Sequence, residues 1–297
     1  MFMRAETFRE RLRLIEAGGY QVISLDDAID GLNGDRDLPD CATVITIDDG
    51  WSSTFTHMMP DLDRHGWPAT LYCDSEHLES DLPVAHVIGL YMDSLASIEK
   101  SEFANEDGLK AAMNRSLPMQ QRIDACRKVA GRLGVDIDRL LDLRAFHYMR
   151  PDELKEAAAR GLSIQLHTHR HSMHDGSTGA VQREIEENRS ALSRCIDRPR
   201  EYFRHFCYPS GVTSAGAICA LKSSGLRSAT TIRHDFAWPG DDPYLLPRFL
   251  DNGRLSSIEF EAEMSGFMIL LRRPLRTLRH CLRRGRAAGR SNGAARR

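Results

Sequence analysis

Apolar positions along the chain follow two rhythms. Residues 5–17 place Phe8, Leu12, Leu14 and Ile15 roughly at helical spacing, and Gly18-Gly19 supplies a stop. A short extended piece follows at 22–25, with Asp26 placed to cap the small helix after it. Val44-Ile45-Thr46-Ile47 is rich in β-branched residues and reads as a short buried strand, which Gly50 ends abruptly. Residues 53–65 read as a helix closed by Gly66, and 69–73 as the next strand. Strand, helix and strand at this spacing make a βαβ unit with parallel strands.

From 74 to 146 that rhythm breaks. The stretch is rich in Glu, Asp, Lys, Leu and Met, with helical periodicity at 90–98 and 119–133, and reads as a helical insertion over one face. The alternation then resumes. Pro151 opens a helix over 152–160, followed by strand 162–166, helix 179–195, strand 203–207, helix 215–223 and strands 226–231 and 244–249. Six convincing core strands alternating with helices predict an α/β fold, either a parallel barrel or an open doubly wound sheet. One domain is expected over 1–265, with a tail at 266–297.

Composition changes this picture little. The 297 residues are 41% hydrophobic and 28% charged, with a net charge of −2 that gives no global attraction to nucleic acid. The tail differs. From Phe267 onward it carries ten arginines and no acid, with leucines between them, so it is expected to be disordered or to lie as a basic amphipathic helix on an anionic membrane surface. No apolar run approaches the ~18 residues of a membrane span, and the charged start predicts no signal peptide. Seven scattered cysteines without CxxC spacing point to free thiols in a reducing cytoplasm.

The candidate chemistry lies at strand ends. Asp48 and Asp49 follow a core strand, where α/β folds keep their ligands. Adjacent carboxylates need a cation or hydrogen bonds to stay ionised together, although an Asp-Asp-Gly turn capping a helix would also account for them. His167 and His171, spaced i and i+4 after a strand, can meet on one face of a helical turn and bind a divalent metal. With Asp49 they would make a site of two histidines and one carboxylate, leaving Asp48 as a general base. His169 and His174 allow other pairings.

Thr46-Ile47-Asp48-Asp49-Gly50 resembles the first motif of the polysaccharide deacetylases, the NodB-like carbohydrate esterases, and His167-Thr168-x-x-His171 matches the second. Tyr208-Pro209-Ser210-Gly211 is similar to the third motif in its Tyr-Pro variant, and Leu246-Pro247-Arg248 to the last. The resemblance covers about residues 5 to 252. It implies a distorted (β/α)7 barrel of the NodB-homology type that removes N-acetyl groups from amino sugars of a polysaccharide or glycan precursor. Its metal would be divalent, zinc before cobalt or nickel.

Carried over by residue, the resemblance makes Asp48 the catalytic base and Asp49, His167 and His171 the metal ligands. The backbone N–H of Tyr208 would hold the oxyanion, Arg248 would belong to the catalytic set, and Trp51, Pro209 and Ser210 would contact substrate.

Two departures stand out. Cys207 falls near where the family carries an arginine that braces the base, which leaves Arg248 or Arg204 as substitutes. The family's opening strand ending in Tyr-His has no counterpart, so the first strand is expected to be absent or replaced by the 22–25 piece. That leaves the general acid open among His169, His174 and His205. A carbohydrate substrate, a cytoplasmic setting with contact at the inner membrane face and no nucleic-acid partner complete the expectation. The rivals are a non-catalytic glycan-binding barrel and a hydrolase of another C–N bond such as a cyclic amide.

Overall fold

In the computed structural model, which describes residues 3–98, 110–111, 114 and 116–272, apolar and β-branched runs build one parallel sheet. Helix α1 (Ala5–Ala17) leads to strand β1 (Gln21–Val22) and helix α2 (Leu25–Asn33). Strands β2 (Ala42–Thr43), β3 (Ile45–Asp49) and β4 (Ala69–Cys73) follow, with α3 (Met59–His65) between the last two. Ser24 caps α2 by accepting from the Asp27 N–H at 3.1 Å. It takes the place expected of Asp26, because its side chain precedes the first turn while Asp26 lies inside the helix. The start of the helix expected at 53–65 is wound as a π-helical turn, Thr54–Met58.

After the insertion come α7 (Pro151–Ala159), β5 (Ser163–Leu166), α8 (Thr178–Ile196), β6 (His205–Cys207), α9 (Ala215–Ser223), β7 (Ser228–Thr230) and α10 (Ser257–Met264). The sheet runs β3-β4-β5-β6-β7, every pair parallel. Register places Asp49 beside Cys73, Cys73 beside Leu166 and Cys207 beside Thr230, so the carboxyl ends of the strands share one rim. β4 is buried along its whole length, as a strand covered on both faces must be.

Short extended pieces lie outside this five-stranded sheet. β1 pairs in parallel with β2, and the Ile23 N–H donates to the Thr43 carbonyl at 2.9 Å. Beside β7 the strand expected at 244–249 shrinks to a single parallel bridge between Leu246 and Thr230. Pro247 interrupts it there, having no N–H to give the ladder. α1 packs against α10, and buried Arg11 reaches the Asp251 carboxylate at 2.9 Å and the Leu255 carbonyl at 2.6 Å.

Within 74–146, helices α4 (Ala85–Ile98), α5 (Met119–Arg132) and α6 (Ile137–Asp142) form a small core of their own around Ile88, Met92, Ile123, Val129 and Phe146. No described helix is long and apolar enough to cross a membrane. The tail expected at 266–297 lies outside the described residues beyond 272.

Candidate active site

The turn that ends β3 is set by backbone conformation. Asp49 takes a left-handed φ of 76° and Gly50 a φ of 103°. A Cβ on Gly50 would stand 2.8 Å from the Cys73 sulfur, so only glycine fits. The end of the insertion clamps this turn. The Met149 N–H donates to the Gly50 carbonyl at 2.8 Å, the Ser52 N–H to the His147 carbonyl at 2.9 Å, and Trp51 bridges Tyr148 antiparallel. The Trp51 and Tyr148 rings stack with centroids 4.6 Å apart, and His77 stacks on Tyr148 at 4.7 Å.

Asp48 and Asp49 are thereby sent to different partners. Asp49 Oδ2 accepts from the Trp51 indole N–H at 3.0 Å. Its Oδ1 faces the Nε2 atoms of His167 and His171, each at 3.3 Å. Burial pushes the Asp49 carboxyl up, but hydrogen bonds from His167 and His171 outweigh that and hold it far below the usual carboxylate range. His167 is nearly inaccessible. Burial disfavours its charged form, yet Cys207 and the Asp49 carboxylate raise it well above the ordinary imidazole value.

The two histidines do not sit on a helical turn, as their spacing suggested. Residues 167–174 form an irregular loop in which Thr168 and His171 both have left-handed φ, 65° and 49°. The loop is pinned from several sides. The His167 Nδ1–H donates to the Cys207 carbonyl at 2.8 Å, which turns Nε2 toward Asp49. Buried Asn188 accepts from the His167 backbone N–H at 3.0 Å and donates to the Cys73 carbonyl and to Ser75 Oγ. The Ser172 N–H donates to Thr168 Oγ1 at 3.0 Å.

Two imidazole nitrogens and one carboxylate oxygen, all within 4.8 Å of one another, suit a divalent ion of borderline softness. A second group, Asp48, His167 and Cys207, is equally compact. The Arg248 guanidinium already bonds both Asp48 and Cys207, so that space holds a cation of the protein's own.

Arg248 spends all five N–H donors. Nη1 reaches Asp48 Oδ1 at 2.8 Å and Thr46 Oγ1 at 3.1 Å; Nη2 reaches Asp48 Oδ2 at 2.8 Å and Cys207 Sγ at 3.0 Å; Nε reaches the Thr231 carbonyl at 3.1 Å. Such a fork holds a carboxylate in one plane. Of the two candidates, Arg248 therefore braces Asp48, while Arg204 pairs with Asp26 at 2.9 Å. Asp48 lines the cleft and stays partly exposed, as a general base must.

Other expected residues are placed differently. The Tyr208 N–H donates to the Thr230 carbonyl at 3.2 Å in the β6–β7 ladder, so in this conformation it is not offered to an oxyanion. Its phenol is buried and donates to the Tyr244 carbonyl at 3.0 Å. Pro209 is buried, whereas Ser210, with a left-handed φ of 54°, is exposed on the cleft wall with Trp51. His205 begins β6 at the end away from Asp48, buried between Ser228 Oγ at 2.8 Å and Asp26 at 3.0 Å. His174 bonds Glu184 at 2.7 Å and His169 bonds Ser75 Oγ at 2.9 Å.

Sequence reasoning missed Asp74 and Tyr148. Asp74 is buried just past β4, where burial first and the Asp49 charge second keep its carboxyl well above the usual range. It pairs with the Tyr148 phenol. A carboxylate just past the end of a mostly apolar strand is the signal that would have found Asp74.

Comparison with known proteins places this arrangement. Solved structures alike in fold include the deacetylase PplD of Streptococcus pyogenes in complex with acetate (TM-score 0.61, 14% identity, 88% of this chain and 87% of that one). IcaB from Ammonifex degensii is also similar (TM-score 0.58, 17% identity, 88% of each chain). A poly-beta-1,6-N-acetyl-D-glucosamine N-deacetylase of Escherichia coli (strain K12) is 35% identical over 69 residues, 23% of this chain and only 10% of that protein's length. The family model described as polysaccharide deacetylase matches residues 35–229. That match covers more than half the chain and holds the turn with Asp48 and Asp49 and the loop with His167 and His171, so the chain belongs to the polysaccharide deacetylase family.

Proposed function

We propose that the protein is a metal-dependent hydrolase that removes N-acetyl groups from amino sugars of a polysaccharide or glycan precursor, with zinc as the ion. The observation that carries this reading is the juxtaposition of two differently equipped carboxylates. Asp48 is braced by Arg248 and open to the cleft, and Asp49 is aimed with His167 and His171 at one point. Asp49, His167 and His171 would hold a divalent ion, which would supply Lewis acidity toward an acetyl carbonyl.

The chain's own residues do the rest. Asp48 takes the proton of the attacking water as that oxygen bonds the acyl carbon. The C–N bond then breaks as the leaving nitrogen takes up the proton that Asp48 holds, and the products are acetate and the free amine. Trp51 fixes the Asp49 carboxylate through its indole N–H, and the Cys207 carbonyl fixes the His167 tautomer. The deacetylases named above support the substrate class.

The test is acetate release from N-acetylated oligosaccharides with added zinc or cobalt, beside Asp48→Asn and His167→Ala. Metal-dependent release lost in both variants is the expected result. Release that persists in Asp48→Asn, or metal bound without any turnover, would sink the reading.

A further inference from the structure

The cleft at the candidate active site continues well past the reacting groups. One cavity of about 1320 Å³ is lined both by Asp48, Asp49, His167 and His171 and by apolar side chains along the open seam of the half-barrel. Sites for small ligands commonly enclose about 300–1,000 Å³. Half-buried Ile23, Leu32, Leu38, Ile45 and Phe249 line the seam. Protein interiors are otherwise close-packed, and apolar cavities exclude water. The hydroxyls around a sugar ring find few partners along these apolar walls. A hydrocarbon chain needs none.

The mouth of the seam bears a second, independent feature. Phe236 and Trp238 line the cavity, Trp238 is 52% exposed, and the Phe236 ring lies against Gly266. Directly after Gly266, residues 267–272 are helical, and Phe267, Leu270 and Leu271 are 56%, 62% and 51% exposed at i, i+3 and i+4 spacing. The sequence then continues with arginines and no acid to its end. An exposed apolar stripe followed by positive charge complements an anionic lipid surface.

We propose that the amino sugar acted on is carried on a lipid, whose hydrocarbon chain lies in the seam while the sugar reaches Asp48 and the Asp49–His167–His171 group. This inference rests on the deacetylase reading and names its substrate class.

The experiment is a series of alkyl N-acetylglucosaminides, methyl to dodecyl, kept below their micelle concentrations. Acetate release by the metal-loaded full chain is measured beside binding by calorimetry. Affinity and kcat/KM are expected to rise with chain length, about fourfold per buried methylene, so three buried methylenes give about a sixtyfold rise by the same factor. Ala28→Trp, which fills the seam from α2, is expected to flatten that dependence. Release and binding independent of chain length would overturn the lipid proposal and leave the deacetylase reading standing. A steep dependence unmoved by Ala28→Trp would overturn the seam as the place of the chain. No acetate from any member, metal bound, would remove the deacetylase reading and this proposal with it.

Discussion

Arg248→Met is the perturbation that tests the site most directly. Arg248 is 9% exposed and braces an Asp48 carboxylate that is 31% exposed. Methionine keeps much of the side chain's bulk near the Tyr72 ring, which the guanidinium carbon overlies at 5.7 Å. The charge and all five hydrogen bonds are lost. Removing one partner of a buried ion pair costs about 3–5 kcal/mol, because the other charge is left without compensation. Water reaches part of Asp48, so the lower end, about 3 kcal/mol, is expected here. Urea unfolding of the two proteins reads that difference.

The catalytic effect is separate. A base free to swing by about 1 Å loses on the order of 100-fold in rate, so kcat/KM for acetate release should fall by about that factor. If Arg248 acts through Asp48, the same substitution in an Asp48→Asn background should cost little further activity, since residues that act as a unit are not additive. A loss under about 1 kcal/mol, within the ordinary range for surface substitutions and small core changes, together with wild-type kcat/KM would refute the reasoning. Equal rate losses in both backgrounds would refute the coupling.

Trp51→Phe keeps the ring on Tyr148 but removes the N–H that holds Asp49 Oδ2. Metal affinity, followed by zinc titration, should weaken about 10–100-fold. Gly50→Ala forces a side chain into a φ of 103° and against the Cys73 sulfur, and should destabilise the fold by about 1–3 kcal/mol in thermal or urea unfolding. His205 is pushed below its ordinary value of 6.5, chiefly by burial, with the Asp26 bond opposing. The unfolded chain therefore binds its proton first as pH falls, so this residue's contribution is present above pH 6.5 and is lost on acidification below it. His205→Gln should flatten that part of a stability-versus-pH curve, and a slope unchanged by the substitution would count against the assignment.

Much of the site was legible before the fold was known, because its signals are local. Strand β3 ends in two carboxylates and a glycine, and the histidine pair follows another strand; residue type and spacing are enough to read both. The parallel alternation of strands and helices was legible for the same reason, since each element announces itself by its own period. Boundaries were less so. The run at 244–249 looked like a strand by composition, yet Pro247 leaves it a single bridge.

What the sequence by itself determined is therefore the class of fold, the rim where chemistry sits and the identity of the groups on it. Tertiary structure alone decided their roles. Arg248 meets Asp48 across 200 positions of chain, a pairing no local pattern can rank above Arg204. The left-handed turns at Asp49, Thr168 and His171 are imposed by clamps from residues 147–149 and Asn188, which lie far away in sequence. The Tyr208 N–H was assigned to an oxyanion by its motif, and in this structure it donates to the Thr230 carbonyl while the phenol donates to the Tyr244 carbonyl. The reason is physical. Local patterning specifies which face of an element is apolar, while the partner a polar group finds depends on which distant groups the packed sheet brings within about 3 Å of it.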